Sequence, residues 1–184
     1  MNDLNCNSLL TRYLCFTDAF DEDKIQSAKS LGATDIIVRK HSTGYEVDFR
    51  FPQDPNTTNL PTILGTGPII PAEGDLTGYS PSELVAKATE LIAVERFWEC
   101  HNCLEELWKR STGDRKKLFH DIIGVVVSQI KAQMGQWDVG KTVFVRSYTA
   151  LKEAGTRGIL KQFPLEFTYP MKFSLEETLQ AIEP

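Results

Sequence analysis

Apolar residues recur with the spacing of a buried helix face between Val94 and Trp108. At roughly 100° per residue, with His101 at zero, the large apolar side chains fall within about 60° of the histidine; they are Val94, Phe97, Trp98, Leu104 and Trp108. Glu105 lies about 40° away in the same arc, whereas Glu99 and Glu106 point outward by about 140° or more. The pattern therefore predicts that His101 and Glu105 are buried together.

The first 51 residues show a different pattern, which predicts a small β-α-β-β unit. A short strand and a helix are followed by a hairpin with strands over residues 35–39 and 45–51. The second of these strands alternates apolar and charged residues, which predicts one solvent-exposed face carrying Glu46, Asp48 and Arg50. His41 at the hairpin turn is expected on the surface, since most loops are exposed.

Residues 52–79 are rich in Pro, Gly, Asn and Thr, and this composition predicts a domain linker. Residues 80–154 predict an antiparallel helical bundle, with a corner near residues 93–96 between its first two helices. The third helix, over about residues 115–134, is apolar around a wide arc and is expected to be the spine of the bundle. The remaining tail, residues 155–184, predicts a short final helix. The expected fold class is α+β, mainly α, with a helical bundle after a β-α-β-β unit.

Composition and charge restrict the classes of function. The chain has 184 residues and a formal net charge of −5, with no long run of basic residues, which disfavours a nucleic-acid partner. It lacks an apolar run long enough for a bilayer and a secretory signal layout, so no membrane association is expected. Its four cysteines do not resemble a secreted disulfide framework. We therefore expect a soluble, cytoplasmic protein, with Cys100 and Cys103 as small buried apolar residues.

A histidine and a carboxylate on a buried face require a partner, because burying either alone is costly. Folding the second and third helices into a hairpin places Gly124 level with His101, and His120 level with Glu105. Two imidazoles and one carboxylate leave open coordination positions for an activated water. This arrangement predicts a divalent metal site formed by His101, Glu105 and His120, whereas a purely structural hydrogen-bonded pair of His101 and Glu105 is the alternative.

These two interpretations lead to two functions. The metal site predicts a metal-dependent hydrolase of a small substrate, with Glu99 or Glu106 as the general base. The structural pair predicts a non-enzymatic helical scaffold or regulatory module.

Four further side chains are candidates for the lining of a site. The tryptophans Trp98 and Trp108 are expected to anchor the core or to line a ligand pocket. Gln129 and Gln133 fall on the apolar arc of the third helix, where a buried amide needs hydrogen-bond partners. The wide apolar arc of that helix also predicts a homodimer, because one domain does not cover all of it.

The motif that runs from Phe97 to Trp108 resembles a family signature. Its Phe97, Glu99, His101, Leu104, Glu105, Glu106 and Trp108 match the pattern F-x-E-A-H-E-x-L-E-E-x-W of the family known as domain of unknown function 309. The resemblance covers roughly residues 84 to 154 and implies an all-helical domain, and members are often described as predicted metal-dependent hydrolases. The chain departs from the signature at Cys100, where alanine is usual, and at Asn102, where glutamate is usual.

Overall fold

The structure is a computed structural model. It describes residues 11–19, 22–52, 69–71, 75–153 and 167–171. The chain divides into two compact units, Met1–Gly74 and Asp75–Pro184. The first contains an antiparallel sheet and the second contains the main helices, which confirms the predicted α+β, mainly α, fold class.

The described residues of the N-terminal unit form a four-stranded antiparallel sheet and one helix. Its elements are β1 (Thr11–Thr17), α1 (Glu22–Ser30), β2 (Asp35–His41), β3 (Gly44–Phe51) and β4 (Ile69–Pro71). The strand order is β2-β3-β1-β4. The predicted β-α-β-β order is therefore present, and β4 is an additional strand within the segment that the composition assigns to the linker.

One face of this sheet forms an apolar core. Ala28 of α1 is buried with side chains that alternate along β1 and β3, namely Tyr13, Cys15, Val47, Phe49 and Phe51. Alternation with period two places all of these strand residues on the same side of the sheet. The apolar residues of the alternating pattern thus form the face of the sheet on which α1 packs.

The opposite face of the sheet is also buried, so the prediction of a solvent-exposed face is wrong for two of its residues. Glu46 and Asp48 are each 1% exposed, and Arg39 and His41 are buried beside them. Arg39 forms ion pairs with both carboxylates, at 2.8 Å to Asp48, and Arg12 adds a second guanidinium at 2.7 Å from Asp48. Paired arginines and carboxylates can be buried where single charges cannot.

In the C-terminal unit, the described residues form four helices joined by short turns. They are α2 (Pro81–Ala93), α3 (Phe97–Arg110), α4 (Gly113–Gln133) and α5 (Trp137–Glu153). The predicted capping box at Ser80 and the predicted corner before Phe97 are both present. Within the described part of the chain, none of the helices has the length and apolar character to cross a membrane. The predicted final helix lies outside the described residues.

The spine helix α4 is buried by its neighbours in the same chain. Its core-facing side chains are Leu118, Phe119, Ile122, Val125, Val126 and Ile130. Among the large apolar residues of α4 and its C-cap, the exposed one is Met134. The expected uncovered apolar arc is therefore absent from the described part of α4. The prediction of a homodimer depended on that arc, so α4 does not support it.

Small residues bring α4 and α5 close together. A Cβ atom added to Gly124 would overlap Ser147 Oγ and lie 2.9 Å from Ser147 Cβ, while one added to Gly140 would lie 2.9 Å from the Ser128 carbonyl oxygen. Gly124 therefore faces Ser147 of α5, so the small residue serves the contact between α4 and α5. The predicted hairpin assigned Gly124 a position along the helix axis. It did not determine which neighbouring helix Gly124 faces.

Gly124→Ala is expected to lower the free energy of unfolding of the helical unit by up to about 2 kcal/mol. Overpacking typically costs about 1–3 kcal/mol, and the better helix propensity of alanine returns about 1 kcal/mol. Urea denaturation followed by tryptophan fluorescence measures this loss. Ser147→Gly should rescue the variant by removing both overlapping atoms, whereas Gly78→Ala, which meets open space, is the control. Additive effects of Gly124→Ala and Ser147→Gly would contradict the proposed contact.

Candidate functional site

His101 lies on α3 between an aromatic ring and a carboxylate. Its ring stacks on Trp98 with the centroids 5.6 Å apart, and its Nε2 lies 3.6 Å from Glu105 Oε1. Its Nδ1 lies 3.4 Å from Asn102 Oδ1. The spacing of three and four residues on a helix brings these side chains together, as the sequence pattern predicts for His101 and Glu105.

The pair of His101 and Glu105 lies at the edge of the core rather than inside it. The His101 side chain is 17% exposed and the Glu105 side chain is 45% exposed. Val94, the first residue of the predicted stripe, is also exposed, because it follows α2 as its C-cap instead of belonging to α3. The prediction of a buried Glu105 is therefore wrong, because a helical wheel gives the direction of a side chain and not what covers it.

Glu99 is the buried carboxylate of α3, in contrast to the predicted outward orientation. It is 1% exposed. Arg96, at the N-cap of α3, donates to it from two nitrogens, with Nε 2.5 Å from Glu99 Oε2. The guanidinium three residues earlier neutralises the carboxylate, which allows burial where the apolar pattern alone predicts exposure.

Glu106 and Arg110 connect α3 to the chain that precedes α2. Arg110 Nε donates to Glu106 Oε1 at 2.9 Å. The remaining Arg110 nitrogens donate to backbone carbonyl oxygens of Leu76, Thr77 and Tyr79 at 2.5–3.1 Å. Glu106 therefore orients an arginine that holds the beginning of the helical unit, and both carboxylates selected as general bases are engaged in ion pairs.

His120 is separate from the pair of His101 and Glu105 in its contacts. Its side chain is 67% exposed and its Nδ1 lies 3.0 Å from Asp121 Oδ1. Across the described residues, no group of three or more His, Cys, Asp or Glu side chains could hold a metal ion. The predicted three-ligand set of His101, Glu105 and His120 is therefore not assembled, and those residues do not fit a metal centre of that design.

The tryptophans and cysteines of this stretch contribute to packing. Trp98 and Trp108 are partly buried against the helical core, and the Lys116 ammonium lies 4.2 Å from the centroid of a Trp108 ring. Cys100 and Cys103 are fully buried, as predicted. Burial, with a smaller contribution from Cys103, raises the pKa of the Cys100 thiol well above its usual value. Cys100 is therefore protonated at neutral pH and packs as a small apolar residue.

The two buried glutamines hydrogen-bond to backbone groups far away in the sequence. Gln129 Nε2 donates to the Thr168 carbonyl oxygen at 3.1 Å, and the Met171 backbone N–H donates to Gln129 Oε1 at 2.8 Å. Gln133 Nε2 donates to the Glu95 carbonyl oxygen at 2.7 Å. The expectation that these amides need partners is confirmed for both polar atoms of Gln129 and for Gln133 Nε2, and the partners are main-chain groups. Among the described residues, the buried Gln133 Oε1 has no hydrogen-bond partner.

Two residues of this polar network were not selected from the sequence. Glu95 adopts a positive φ of 60° in the corner between α2 and α3, which is uncommon for a residue with a side chain. Tyr169 Oη donates to Glu95 Oε2 at 2.8 Å, and its ring packs against Phe97. The predicted corner was the available signal for Glu95, whereas nothing in the local pattern around Tyr169 indicates its partner.

Residues 167–171, which we call the strap, are packed into the helical core. Phe167 contacts the rings of Trp137 and Phe144, and Met171 is buried. Gln129 binds the strap backbone at two positions, and Tyr169 connects it to Glu95. The best-defined polar site of the helical unit is therefore a site that binds a peptide segment.

Comparisons with known proteins concern the same helices. Neither the curated proteins nor the solved structures gave a match. The model of the family described as Domain of unknown function (DUF309) matches residues 85–143, a span that contains all of α3 and α4. This match agrees with the resemblance of the motif from Phe97 to Trp108. Residues 85–143 of this chain are therefore a DUF309 domain.

Proposed function

We propose that the DUF309 domain of this chain is a non-enzymatic helical scaffold or regulatory module. The observation that carries the proposal is the binding of the strap backbone by Gln129, which is fully buried near the C-terminal end of α4. A buried amide that satisfies one carbonyl and one N–H fixes the position of a chain segment and leaves no polar atom of that side chain for chemistry.

The carboxylates of the signature support the same function. Glu99 is bound by Arg96, and Glu106 is bound by Arg110. A general base must reach a substrate proton, but each of these carboxylates already accepts hydrogen bonds from a neighbouring guanidinium. These carboxylates position arginines at the two ends of α3, which is a structural role.

The second candidate is a metal-dependent hydrolase of a small substrate. The partial exposure of His101 and Glu105, next to Trp98, favours it, because both side chains are accessible to a divalent ion. Catalytic zinc sites commonly have three protein ligands. The described residues bring two such groups together at this position, so no reaction step is assigned to a metal here.

The two candidates differ in the response of thermal stability to metal. For the scaffold, His101→Gln and Glu105→Gln are expected to change the free energy of unfolding by less than about 1 kcal/mol, because exposed ion pairs contribute little. Zn²⁺, Mn²⁺ or Fe²⁺ should not raise the Tm of the wild type. Differential scanning fluorimetry on protein purified without a metal-affinity tag measures both effects.

His120→Gln is the matched control, because the same change is made at a strongly exposed histidine. A rise in Tm with one of these ions, present in the wild type and in His120→Gln but lost in His101→Gln and Glu105→Gln, would favour the hydrolase over the scaffold.

A further inference from the structure

Positive charge is concentrated in the turn between α3 and α4. Residues 109–117, which we call the basic turn, contain five of the chain's 20 lysine and arginine residues and one carboxylate, Asp114. The formal net charge of the whole chain is −5. A surface whose charge is opposite to that of the rest of the molecule attracts and orients partners of complementary sign. The basic turn is therefore where an anionic partner of the helical unit is expected to bind.

Two lysines of the basic turn are accessible to a partner. The Lys117 side chain is 81% exposed and its Nζ lies 3.5 Å from Asp114 Oδ1, and the Lys109 side chain is 60% exposed with its Nζ 3.7 Å from Glu106 Oε2. Ion pairs of such exposed lysines contribute little to stability, so the carboxylates of a partner can compete for both ammonium groups. Arg110 is bound by Glu106 and by backbone carbonyl oxygens, and it is left out of the proposed contacts.

Two further cations of the basic turn are held by aromatic rings. The Lys116 ammonium lies 4.2 Å from the centroid of a Trp108 ring, and the Arg115 guanidinium carbon lies 5.8 Å from the centroid of the Phe119 ring. Within the described ranges of the chain, neither cation has a carboxylate within ion-pair distance. A ring contact restricts the position of a cation without neutralising it, which lowers the entropy cost of binding an anion.

We infer that the basic turn binds an acidic segment of a partner protein, rich in Asp and Glu. Clusters of basic side chains recognise such segments through charge-assisted hydrogen bonds. Successive residues of an extended segment are about 3.4 Å apart, so one short segment can reach several of these cations. The inference goes beyond the proposed scaffold role and does not depend on it, because Gln129 follows Arg115 by fourteen residues, about 21 Å along α4.

Other anionic partners fit the basic turn less well. Nucleic acid carries charge along its whole length, and the net charge of the chain opposes it beyond this short turn. Binding to a membrane surface is strengthened by apolar side chains that insert into it, but the exposed large apolar residues of the described chain all lie outside residues 105–120. A small anion is usually bound in a concave site, whereas these cations are on an exposed turn.

The test measures binding of a fluorescein-labelled octaglutamate peptide to the full chain by fluorescence anisotropy at low ionic strength. The triple variant Arg115→Gln, Lys116→Gln, Lys117→Gln should weaken binding by about tenfold, because three favourable charges are removed and each exposed charge contributes modestly. Glutamine keeps most of the aliphatic stem that packs on each ring.

The matched control removes the same number of charges elsewhere in the helical unit. Lys131→Gln, Lys141→Gln and Lys152→Gln change α4 and α5 outside the basic turn, and together they should leave the dissociation constant within about twofold of the wild type.

Asp114→Asn tests the inference in the opposite direction. It removes the carboxylate of the basic turn and should tighten binding by about two- to threefold. The Asp114 side chain is fully exposed, so this variant is expected to fold even if the triple variant does not.

Three kinds of result would overturn the inference. The first is that the wild type does not bind the peptide, or that the triple variant of the basic turn binds it as the wild type does. The second is equal weakening by both triple variants, which would show that the peptide senses only net charge. The third is tighter binding of phosphatidylserine vesicles or of a single-stranded oligonucleotide, lost in the triple variant of the basic turn, which would assign this surface to a membrane or to a nucleic acid.

Discussion

Arg39→Leu is expected to lower the free energy of unfolding of the N-terminal unit by about 3–5 kcal/mol, the cost of removing one partner from a buried ion pair. Arg39 pairs with both Glu46 and Asp48, and all three side chains are nearly inaccessible to solvent. The substitution leaves Glu46 with His41, at 3.5 Å, and Asp48 with Arg12. Arg12 on Asp48 is then the guanidinium that remains for two buried carboxylates, and Glu46 keeps only the imidazole of His41 from this set of partners.

The same charge cluster determines how stability depends on pH. Burial raises the pKa of Glu46, but His41 and Arg39 together outweigh it and hold the pKa below its usual value. Burial likewise raises the pKa of Asp48, and Arg12 and Arg39 lower it further than burial raises it. A carboxyl group whose pKa is lowered by folding stabilises the protein above its unfolded pKa. This contribution is lost as the pH falls from about 4 through the folded pKa values.

Without Arg39, burial is opposed by fewer positive charges, so the carboxylates should bind protons more readily. The difference in stability between the wild type and Arg39→Leu should therefore shrink as the pH falls below about 4. The three tryptophans lie at positions 98, 108 and 137, all in the helical unit, so tryptophan fluorescence does not report on the sheet. Hydrogen exchange measured by mass spectrometry on peptides from β2 and β3 reports on the N-terminal unit separately.

Arg50→Leu is the matched control for Arg39→Leu. Arg50 is on β3 of the same sheet, is about one-third exposed, and lies 3.9 Å from an exposed Asp35 carboxylate. Its replacement should cost less than about 1 kcal/mol. Equal effects of the two substitutions on amide exchange in β2 and β3 would show that the buried cluster does not stabilise the sheet.

The error at this face of the sheet has a physical cause that the sequence could have revealed. The hairpin closes with Ser42 and Thr43, and its register pairs His41 with Gly44 and therefore Arg39 with Glu46. Counting across the turn places a guanidinium directly opposite a carboxylate. The alternation of apolar and charged residues assigns side chains to the two faces of the sheet. It does not distinguish a charged face that is exposed to solvent from one whose charges are paired and buried.

The helices were predictable because their signals are local. The capping box at Ser80, the corner before Phe97 and the apolar spacing of α4 each depend on residues within a few turns. The burial of Glu99 was missed although its partner Arg96 is only three residues away, because the wheel placed Glu99 about 140° or more from His101 and took no account of an ion pair at spacing three. An ion pair at spacing three can reverse the preference of a charged residue for solvent.

The partners of the candidate site depend on contacts that are distant in the sequence. The apolar arc of α4 contains Gln129 and indicates that its amide needs partners, but those partners are backbone groups of Thr168 and Met171. Backbone groups carry no sequence signature, since every residue except proline offers the same N–H and C=O.

The strap gives the second large expected effect: Gln129→Leu should lower the free energy of unfolding of the helical unit by about 2–4 kcal/mol. The substitution keeps an apolar side chain of similar size and leaves the Thr168 carbonyl and the Met171 N–H without the amide. An unsatisfied buried polar group costs about 1–3 kcal/mol. Urea denaturation followed by tryptophan fluorescence is suited to the measurement, because Trp137 contacts both Phe167 and Tyr169 of the strap.

Gln129→Glu tests the direction of the two hydrogen bonds. A carboxylate still accepts from the Met171 N–H but cannot donate to the Thr168 carbonyl oxygen, and it adds a buried charge. It should therefore destabilise at pH 7 and recover part of the loss at pH 4, where a protonated carboxyl group can donate. Gln136→Leu, the same change at an exposed position after α4, is the control and should lie within about 0.5 kcal/mol of the wild type. If Gln129→Leu and Gln136→Leu unfold at the same urea concentration, then the amide does not hold the strap, because a core position and an exposed one would respond alike.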